Sequence, residues 1–247
     1  MRVLSDLCPG RPSLGLALDE VLLLSCRREG TSAVRFWVNR PAVVIGRSQS
    51  IADEVVLDEC ERLGIGVLRR ISGGGAVFHD PGNLNISIVG PARELGGDVE
   101  TVFRRLGGTV ANGLTSLCPG VAAEGNGLYI GERKVGGGAQ ARRGDAVLYH
   151  TTVIVHPLTV DLPSILGAMR PGYRPAGVAS VPREVISLRE AAGDSMSVEQ
   201  VVAAIESGLQ HELGGVWRHE EPTEEEASES RRLARTKYEE ASWTFSR

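Results

Sequence analysis

The chain has 247 residues, 42% hydrophobic and 23% charged, and a formal net charge of −4. This length and balance suit a folded protein with a sizeable core and exclude wholesale disorder, and the acidic excess argues against a general nucleic-acid binder. No apolar run approaches the ~18 residues that span a bilayer, and no basic segment leads into an apolar stretch at the start, so neither a membrane span nor a signal peptide is expected.

Residues 14–27 read as a helix, with Ser13 as its N-cap and Leu14, Ala17, Leu18, Val21 and Leu22 at helical spacing. Strands are expected over 33–38 and, after Pro41, over 42–45, ended by Gly46. A short amphipathic helix near 54–63 stops at Gly64, and 66–70 is a third strand. Residues 84–89 alternate as a half-buried strand. A helix over 99–117 carries Val102, Phe103, Leu106, Val110 and Leu114 along one side. Strands follow near 127–130, 135–140 and 147–155, then helices near 162–169 and 198–213. Residues 223–240 are charged, with Leu233 and Tyr238 among the few apolar positions, and suggest a solvated terminal helix. Several strands fall consecutively, so the expected class is α+β: a mixed, largely antiparallel sheet with packed helices. One domain over 1–247 is expected, with a helical C-terminal part from about 197 to 247. Cys8, Cys26, Cys60 and Cys118 are far apart and form no Cys-x-x-Cys pair, which suggests a reducing cytoplasm rather than a zinc site or a disulfide framework.

Two segments carry chemistry. The first is Arg69-Arg-Ile-Ser-Gly-Gly-Gly-Ala-Val-Phe-His-Asp80, followed by Pro81-Gly-Asn-Leu-Asn85. Three consecutive glycines are costly to order unless the backbone must approach something closely or take positive φ. Such a run bares N–H groups suited to phosphate oxygens, and Arg69, Arg70 and Ser72 add donors to an anion. A flexible turn with a surface arginine pair is the plain alternative, and the cluster fits neither the P-loop nor the dinucleotide fingerprint. The second is Gly131-Glu-Arg-Lys-Val-Gly-Gly-Gly-Ala-Gln140. Lys134 and Lys237 are the only two lysines of the chain. Beside a glycine run, the compact ammonium of Lys134 can neutralise a phosphate or a polarised carbonyl oxygen. Downstream, His150 begins a polar stretch of strand that could face the same cleft.

These two segments, in this order, resemble the lipoate–protein ligase family, which is grouped with biotin ligases and octanoyltransferases. The first signature matches almost throughout from Arg69 to Asn85, and the lysine signature from Lys134 to Ala139. Weaker echoes are Val44-Ile-Gly-Arg47, the strand at His150, and Lys237-Tyr-Glu-Glu-Ala-Ser-Trp243. The resemblance implies a biotin/lipoate ligase-like catalytic domain in which ATP and lipoate (or octanoate) form an acyl-adenylate. A lysine of a lipoyl-type carrier then takes the acyl group. By position, Arg70 and the backbone of Gly75, Ala76, Val77 and Phe78 hold the nucleotide. Ser72, Gly73, Gly74, His79, Asn83, Gly138, Ala139 and His150 line the same pocket. Lys134 contacts the acyl carbonyl and phosphate oxygens. Magnesium is implied with the triphosphate; its ligands are open, with Asp80 as one candidate. The acyl chain needs an apolar tunnel, to which residues 84–89 could contribute. The implied partner is a lipoyl-domain acceptor, such as a 2-oxoacid dehydrogenase E2 or a glycine cleavage H protein, with no role for nucleic acid or membrane.

Two departures stand out. Many members carry Arg-Asn-Asp before the lysine hairpin, whereas here Gly125-Asn-Gly127 keeps only Asn126. The chain is also short, resembling archaeal-type catalytic subunits that rely on a separate small accessory protein. The nearest rival is an octanoyltransferase, which needs a cysteine nucleophile; Cys118 is the only cysteine after Cys60, and it lies before the lysine hairpin. A non-catalytic lipoate or nucleotide binder is the second rival. A biotin ligase is disfavoured, because its glycine-arginine signature is not visible.

Overall fold

Proline suits the first position of a helix, where its missing N–H is not needed and its φ is already set. The first long helix, Pro12–Glu29, accordingly starts after Arg11 and not after Ser13. Ser13 lies inside the first turn and donates its hydroxyl to Glu239 at 2.7 Å instead of capping. Gly30, at φ 70°, ends the helix with its N–H on the Cys26 carbonyl. The structure is a computed structural model that describes residues 1–193 and 196–246. Arg247, the end of the expected C-terminal helical part, lies outside the described residues.

The strands are β1 Arg2–Gly10, β2 Ala33–Asn39, β3 Ala42–Ile45, β4 Gly66–Arg69, β5 Val77–His79 and β6 Asn83–Pro91. They continue as β7 Val121–Glu124, β8 Gly127–Ile130, β9 Arg133–Arg143, β10 Ala146–Ile154 and β11 Arg218–His219. Eight form one sheet in the order β11-β1-β2-β6-β10-β9-β8-β7, and three form a second in the order β4-β3-β5. β1 runs parallel to β2 and β11, and β3 to β4; the remaining pairings are antiparallel. The expected class, α+β with a largely antiparallel sheet, is the one found. β1 escapes sequence reading because Ser5 and Asp6 interrupt its apolar pattern. It becomes a strand because the Pro12–Glu29 helix carries the chain back to lay β2 beside it.

Apolar residues collect in three clusters. One face of the large sheet packs through Leu84, Ile86 and Ile88 onto the helices Gly108–Leu114 and Val198–Leu213. The opposite face packs through Trp37 and Leu148 onto Pro12–Glu29. The third cluster lies on the small sheet, where Val43, Ile45 and Phe78 meet Ile51, Cys60 and Ile165.

Several expected elements are subdivided. The helix expected near 54–63 is two, Ile51–Glu54 and Leu57–Arg62, because Val55 is extended and bridges to Leu166. The helix expected over 99–117 runs from Val99 to Leu114 through a π-helical turn at Phe103–Gly107. The 162–169 helix is a turn of α-helix, Leu162–Ile165, and a 3-10 turn, Gly167–Met169. The terminal segment, Glu224–Leu233 followed by a π turn at Ala234–Tyr238, is not simply solvated. Glu226, Ser230, Ala234 and Tyr238 recur every fourth residue and are all buried. Glu226 takes a two-pronged hydrogen bond from Arg2 (2.7 and 2.8 Å), and Tyr238 donates to Glu20 (2.7 Å). A half-polar stripe of this kind gives no hydrophobic period to read.

Candidate active site

The glycine triplet hangs between β4 and β5 and is shaped by the two arginines before it. Arg69 is fully buried and faces away from the triplet. Its guanidinium donates to the carbonyls of Gly46, Arg47 and Gln49 (3.0, 3.1 and 2.7 Å) and to those of Trp243 and Thr244 (3.2 and 2.8 Å). Arg70 turns inward. Its Nη2 donates to Gly73 O (2.6 Å) and Gly75 O (2.8 Å), Nη1 to Val44 O (3.0 Å) and Nε to Ser72 Oγ (2.9 Å). Because each peptide is planar and trans, drawing the Gly73 and Gly75 carbonyls onto Arg70 turns the N–H groups of Gly74 and Ala76 the opposite way. Gly74 has φ +84°, and a Cβ on Gly46 would lie 2.2 Å from Gly74 O. The triplet is therefore a braced turn. Burial alone lowers the Arg70 pKa to about 10, which leaves it charged at neutral pH.

The second triplet lies within β9. A Cβ on Gly136 would meet Thr152 O at 2.1 Å, and one on Gly138 would lie 3.0 Å from the Tyr149 hydroxyl. Glycines let β9 press flat against β10. At Gly137 the space is taken by Lys134, whose Nζ would lie 3.0 Å from a Cβ there. The Lys134 backbone pairs with Glu184 O and the Ile186 N–H (2.8 and 3.0 Å). Its ammonium makes no hydrogen bond or ion pair among the described residues. Burial first, then the nearby charges of Arg183 and Arg70, lower its pKa. Asn126, the survivor of the altered stretch, accepts from Gly138 N at 2.7 Å and donates to Gly138 O at 3.3 Å.

Both triplets open on one cavity of about 300 Å³. Of the residues singled out from sequence, Arg70, Gly74, Gly75, Ala76, Val77 and Phe78 line it. So do His79, Asn83, Lys134, Gly138, Ala139 and His150. Gly73 and Ser72 do not line it: Gly73 is exposed, and Ser72 sits behind this wall, only 1% exposed. Its Oγ lies 2.6 Å from His150 Nε2. His79 accepts from Asn39 Nδ2 on Nδ1 (2.9 Å), and burial first, then Arg70, pull its pKa down to about 3, so it is neutral and offers Nε2–H. Asp80, the candidate metal ligand, is not among the cavity-lining residues. It is fully buried, and its oxygens accept from Gly82 N (2.6 Å), Thr159 N (3.0 Å) and Thr159 Oγ1 (2.9 Å).

The apolar tunnel does not come from the apolar side of β6. Strand alternation sends Leu84, Ile86 and Ile88 into the core and presents Asn83 and Asn85 to the cavity. Each has a buried Oδ1 without a donor among the described residues. Leu16, Trp37 and Val44 at one end, with Leu158, Leu162 and Met169 at the other, supply the apolar lining. Sequence reading missed three groups that tertiary contact reveals. Ser180 accepts from Ala76 N (2.7 Å) and donates to buried Glu54 (2.6 Å), fastening the 170–183 segment over the cavity. Arg183 lines the mouth. Asp19 lies behind His150. None of the three belongs to a local motif.

The model of the lipoyl protein ligase A/B catalytic domain matches residues 11–210. The chain belongs to this family. The lipoate-protein ligase A subunit 1 of Thermoplasma acidophilum is 31% identical over 248 residues, covering 96% of this chain and 93% of that one. The fold matches a bi-partite lipoate protein ligase studied with its E2 lipoyl domain from the same organism, with TM-score 0.83, 29% identity and coverage of 99% and 95%. It also matches a crystal structure of lipoate-protein ligase A bound with ATP, with TM-score 0.82, 30% identity and coverage of 99% and 98%.

An octanoyltransferase LipM of Carboxydothermus hydrogenoformans is 29% identical, with 97% of each chain covered. The geometry separates the two chemistries. No cysteine is among the cavity-lining residues. Cys118, the one cysteine that sequence reading weighed as a nucleophile, is buried in the large apolar cluster, and burial raises its pKa.

Proposed function

We propose that this chain is an ATP-dependent lipoate–protein ligase that converts lipoate, or octanoate, to the acyl-adenylate and passes the acyl group to a lysine of a lipoyl-type carrier domain. The observation that carries this reading is the Lys134 ammonium, unpaired among the described residues and held among cationic groups in a cavity whose described lining holds no carboxylate and no cysteine. In the first step a substrate carboxylate oxygen attacks the α-phosphorus and pyrophosphate leaves. In the second, the acceptor amine attacks the acyl carbonyl and AMP leaves. Both transition states gather negative charge on the oxygens that the Lys134 ammonium would face, and a preorganised cation in a partly dry site stabilises that charge without reorganisation. The outward Gly74 N–H of the Arg70-braced turn would take a phosphate oxygen, that of Ala76 being held by Ser180, and neutral His79 would add a donor. The orphaned oxygens of Asn83 and Asn85 suit an amino group such as that of adenine.

Magnesium belongs to this reading only as part of the substrate. Among the described residues the cavity lining offers it no carboxylate, and no group of three His, Cys, Asp or Glu could hold a metal. It would arrive with the triphosphate, which it commonly does. The acceptors proposed are E2 and H-protein lipoyl domains, and a separate accessory subunit is proposed to assist adenylation. A cytoplasmic location is part of the same reading, supported by four free cysteines and by the lack of any described helix long and apolar enough to cross a membrane. So is a single domain over 1–247, supported by apolar clusters that share the two sheets.

The deciding experiment is pyrophosphate release from ATP with and without lipoate, for wild type and Lys134→Ala. Lipoate-dependent release lost by about a hundredfold or more in the variant is expected. Acyl transfer from octanoyl carrier protein in the absence of ATP would overturn the ligase reading in favour of the transferase.

A further inference from the structure

Behind the cavity wall, one carboxylate joins five elements. Asp19, on the Pro12–Glu29 helix, accepts from Arg35 Nη1 of β2 on Oδ1 (2.9 Å). Its Oδ2 accepts from Ser87 Oγ of β6 (2.8 Å) and lies 3.2 Å from His150 Nδ1 of β10. His150 Nε2 reaches Ser72 Oγ on the glycine turn (2.6 Å), and Ser72 Oγ accepts from Arg70 Nε (2.9 Å). Side-chain exposure is 2% at Asp19 and 5% at Arg35, so this end of the chain of bonds is shielded from water, while His150 meets the cavity. Burial works against the ionised carboxylate, but the His150 bond and the Arg35 charge outweigh it, and the Asp19 pKa is lowered.

These contacts assign the protons. Ser72 Oγ already accepts from Arg70, so its own hydrogen is best used on His150 Nε2, which leaves the ring hydrogen on Nδ1, facing Asp19. The order Asp–His–Ser is that of a hydrolytic triad, but Ser72 is sealed behind the turn and accepts an arginine N–H. It is a strut rather than a nucleophile.

We propose that Asp19 is a positioning residue for acyl-adenylate formation: it fixes His150 as the Nδ1–H tautomer, so that His150 and Ser72 hold the Arg70-braced glycine turn in its anion-receiving shape. This rests on the ligase reading. In Asp19→Asn the amide oxygen stays with the Arg35 cation, so the amide NH₂ faces His150. His150 Nδ1 must then accept, its hydrogen moves to Nε2, and Ser72 loses its acceptor.

The experiment combines nitrogen NMR of ¹⁵N-histidine protein with pyrophosphate release at saturating ATP and lipoate. Wild type is expected to show His150 as the Nδ1–H tautomer and D19N as the Nε2–H tautomer. D19N is expected to slow release about tenfold with KM for ATP little changed, as for an interaction made chiefly in the transition state. Because Asp19 acts through Ser72, D19N/S72A should be no slower than the slower single variant. An unchanged tautomer in folded D19N, wild-type turnover, or fully multiplying effects would each overturn the proposal. Should D19N not fold, D19L/R35M removes the stranded cation together with the acceptor. It is expected to be slowed to the same extent and to add nothing to S72A; a wild-type rate in it overturns the proposal. If wild type releases no pyrophosphate even with the proposed accessory subunit added, the ligase reading fails, and the tautomer measurement still decides whether Asp19 sets His150.

Discussion

At the scale of single residues, the environment sets what each ionisable group can do. Lys134 is held among positive charges in a partly dry pocket, so its proton is lost more readily than from a free lysine. Deprotonation on the alkaline side removes the cation that the proposed chemistry needs. kcat/KM should therefore fall as pH rises, with a midpoint below the usual 10.5 of lysine. Lys134→Arg should push that limb out of range, and a pH–rate profile of both proteins checks it. His79 works in the opposite range. Its pKa is lowered from 6.5 to about 3, chiefly by burial, so the unfolded chain binds a proton that the folded chain refuses. The stabilisation is fully present above pH 6.5 and is lost as pH falls towards 3. The slope from this one group is about 1.4 kcal/mol per pH unit. Denaturant melts across that window should show a shallower acid loss in His79→Gln than in wild type.

At the scale of elements, the two glycine triplets look alike in sequence and do different work. The first is bent by Arg70 and wedged against Gly46, whereas the second lets β9 lie flat on β10 and leaves room for Lys134. Two alanine substitutions should separate these roles. In Gly46→Ala the added methyl meets the Gly74 carbonyl at 2.2 Å, a backbone atom that cannot swing aside. A loss of about 1–3 kcal/mol in stability is expected, together with lost activity. In Gly137→Ala the clash is with the flexible end of Lys134. The melting temperature should change little, because a surface-like adjustment costs within about 0.5 kcal/mol. Pyrophosphate release should drop about tenfold, as a displaced ammonium implies. Thermal unfolding and release assays on both variants test the contrast. The Ile-Gly-Arg echo and the C-terminal tryptophan segment also find a common cause at this scale. Both present carbonyls to Arg69, immediately before the active turn.

At the scale of the whole molecule, the large sheet carries β9, β10 and β6 side by side, while the small sheet brings the first triplet across from them. The C-terminal segment closes the arrangement from behind. Lys237 pairs with Glu20 (2.7 Å) and lies 4.2 Å from the centre of the Trp243 ring, and Trp243 Nε1 donates to Arg69 O (2.8 Å). A protein bound near this end has a direct packed route to the glycine turn. The proposed accessory subunit is expected to raise pyrophosphate release by the chain well above its rate alone. Full adenylation by the purified chain, unchanged when such a subunit is added, would remove that part of the proposal.

The sequence by itself determined the fold class, the position of most strands, and the two segments that meet at the cavity. It could do so because glycine runs, a rare lysine and period-2 strands are local signals written in neighbouring residues. Asp19, Ser180 and Arg183 were not legible, because each matters only through a contact more than a hundred residues away or outside any motif. The same holds for β1, made a strand by a parallel neighbour, and for the buried polar stripe of the terminal helix, whose partners are Arg2 and Glu20. From sequence, residues 84–89 could contribute to an apolar tunnel, whereas packing of the helices on their apolar side turns the asparagines to the cavity. Which face of a strand meets which core is set by what the rest of the chain brings against it, and that is decided only when the sheet is assembled.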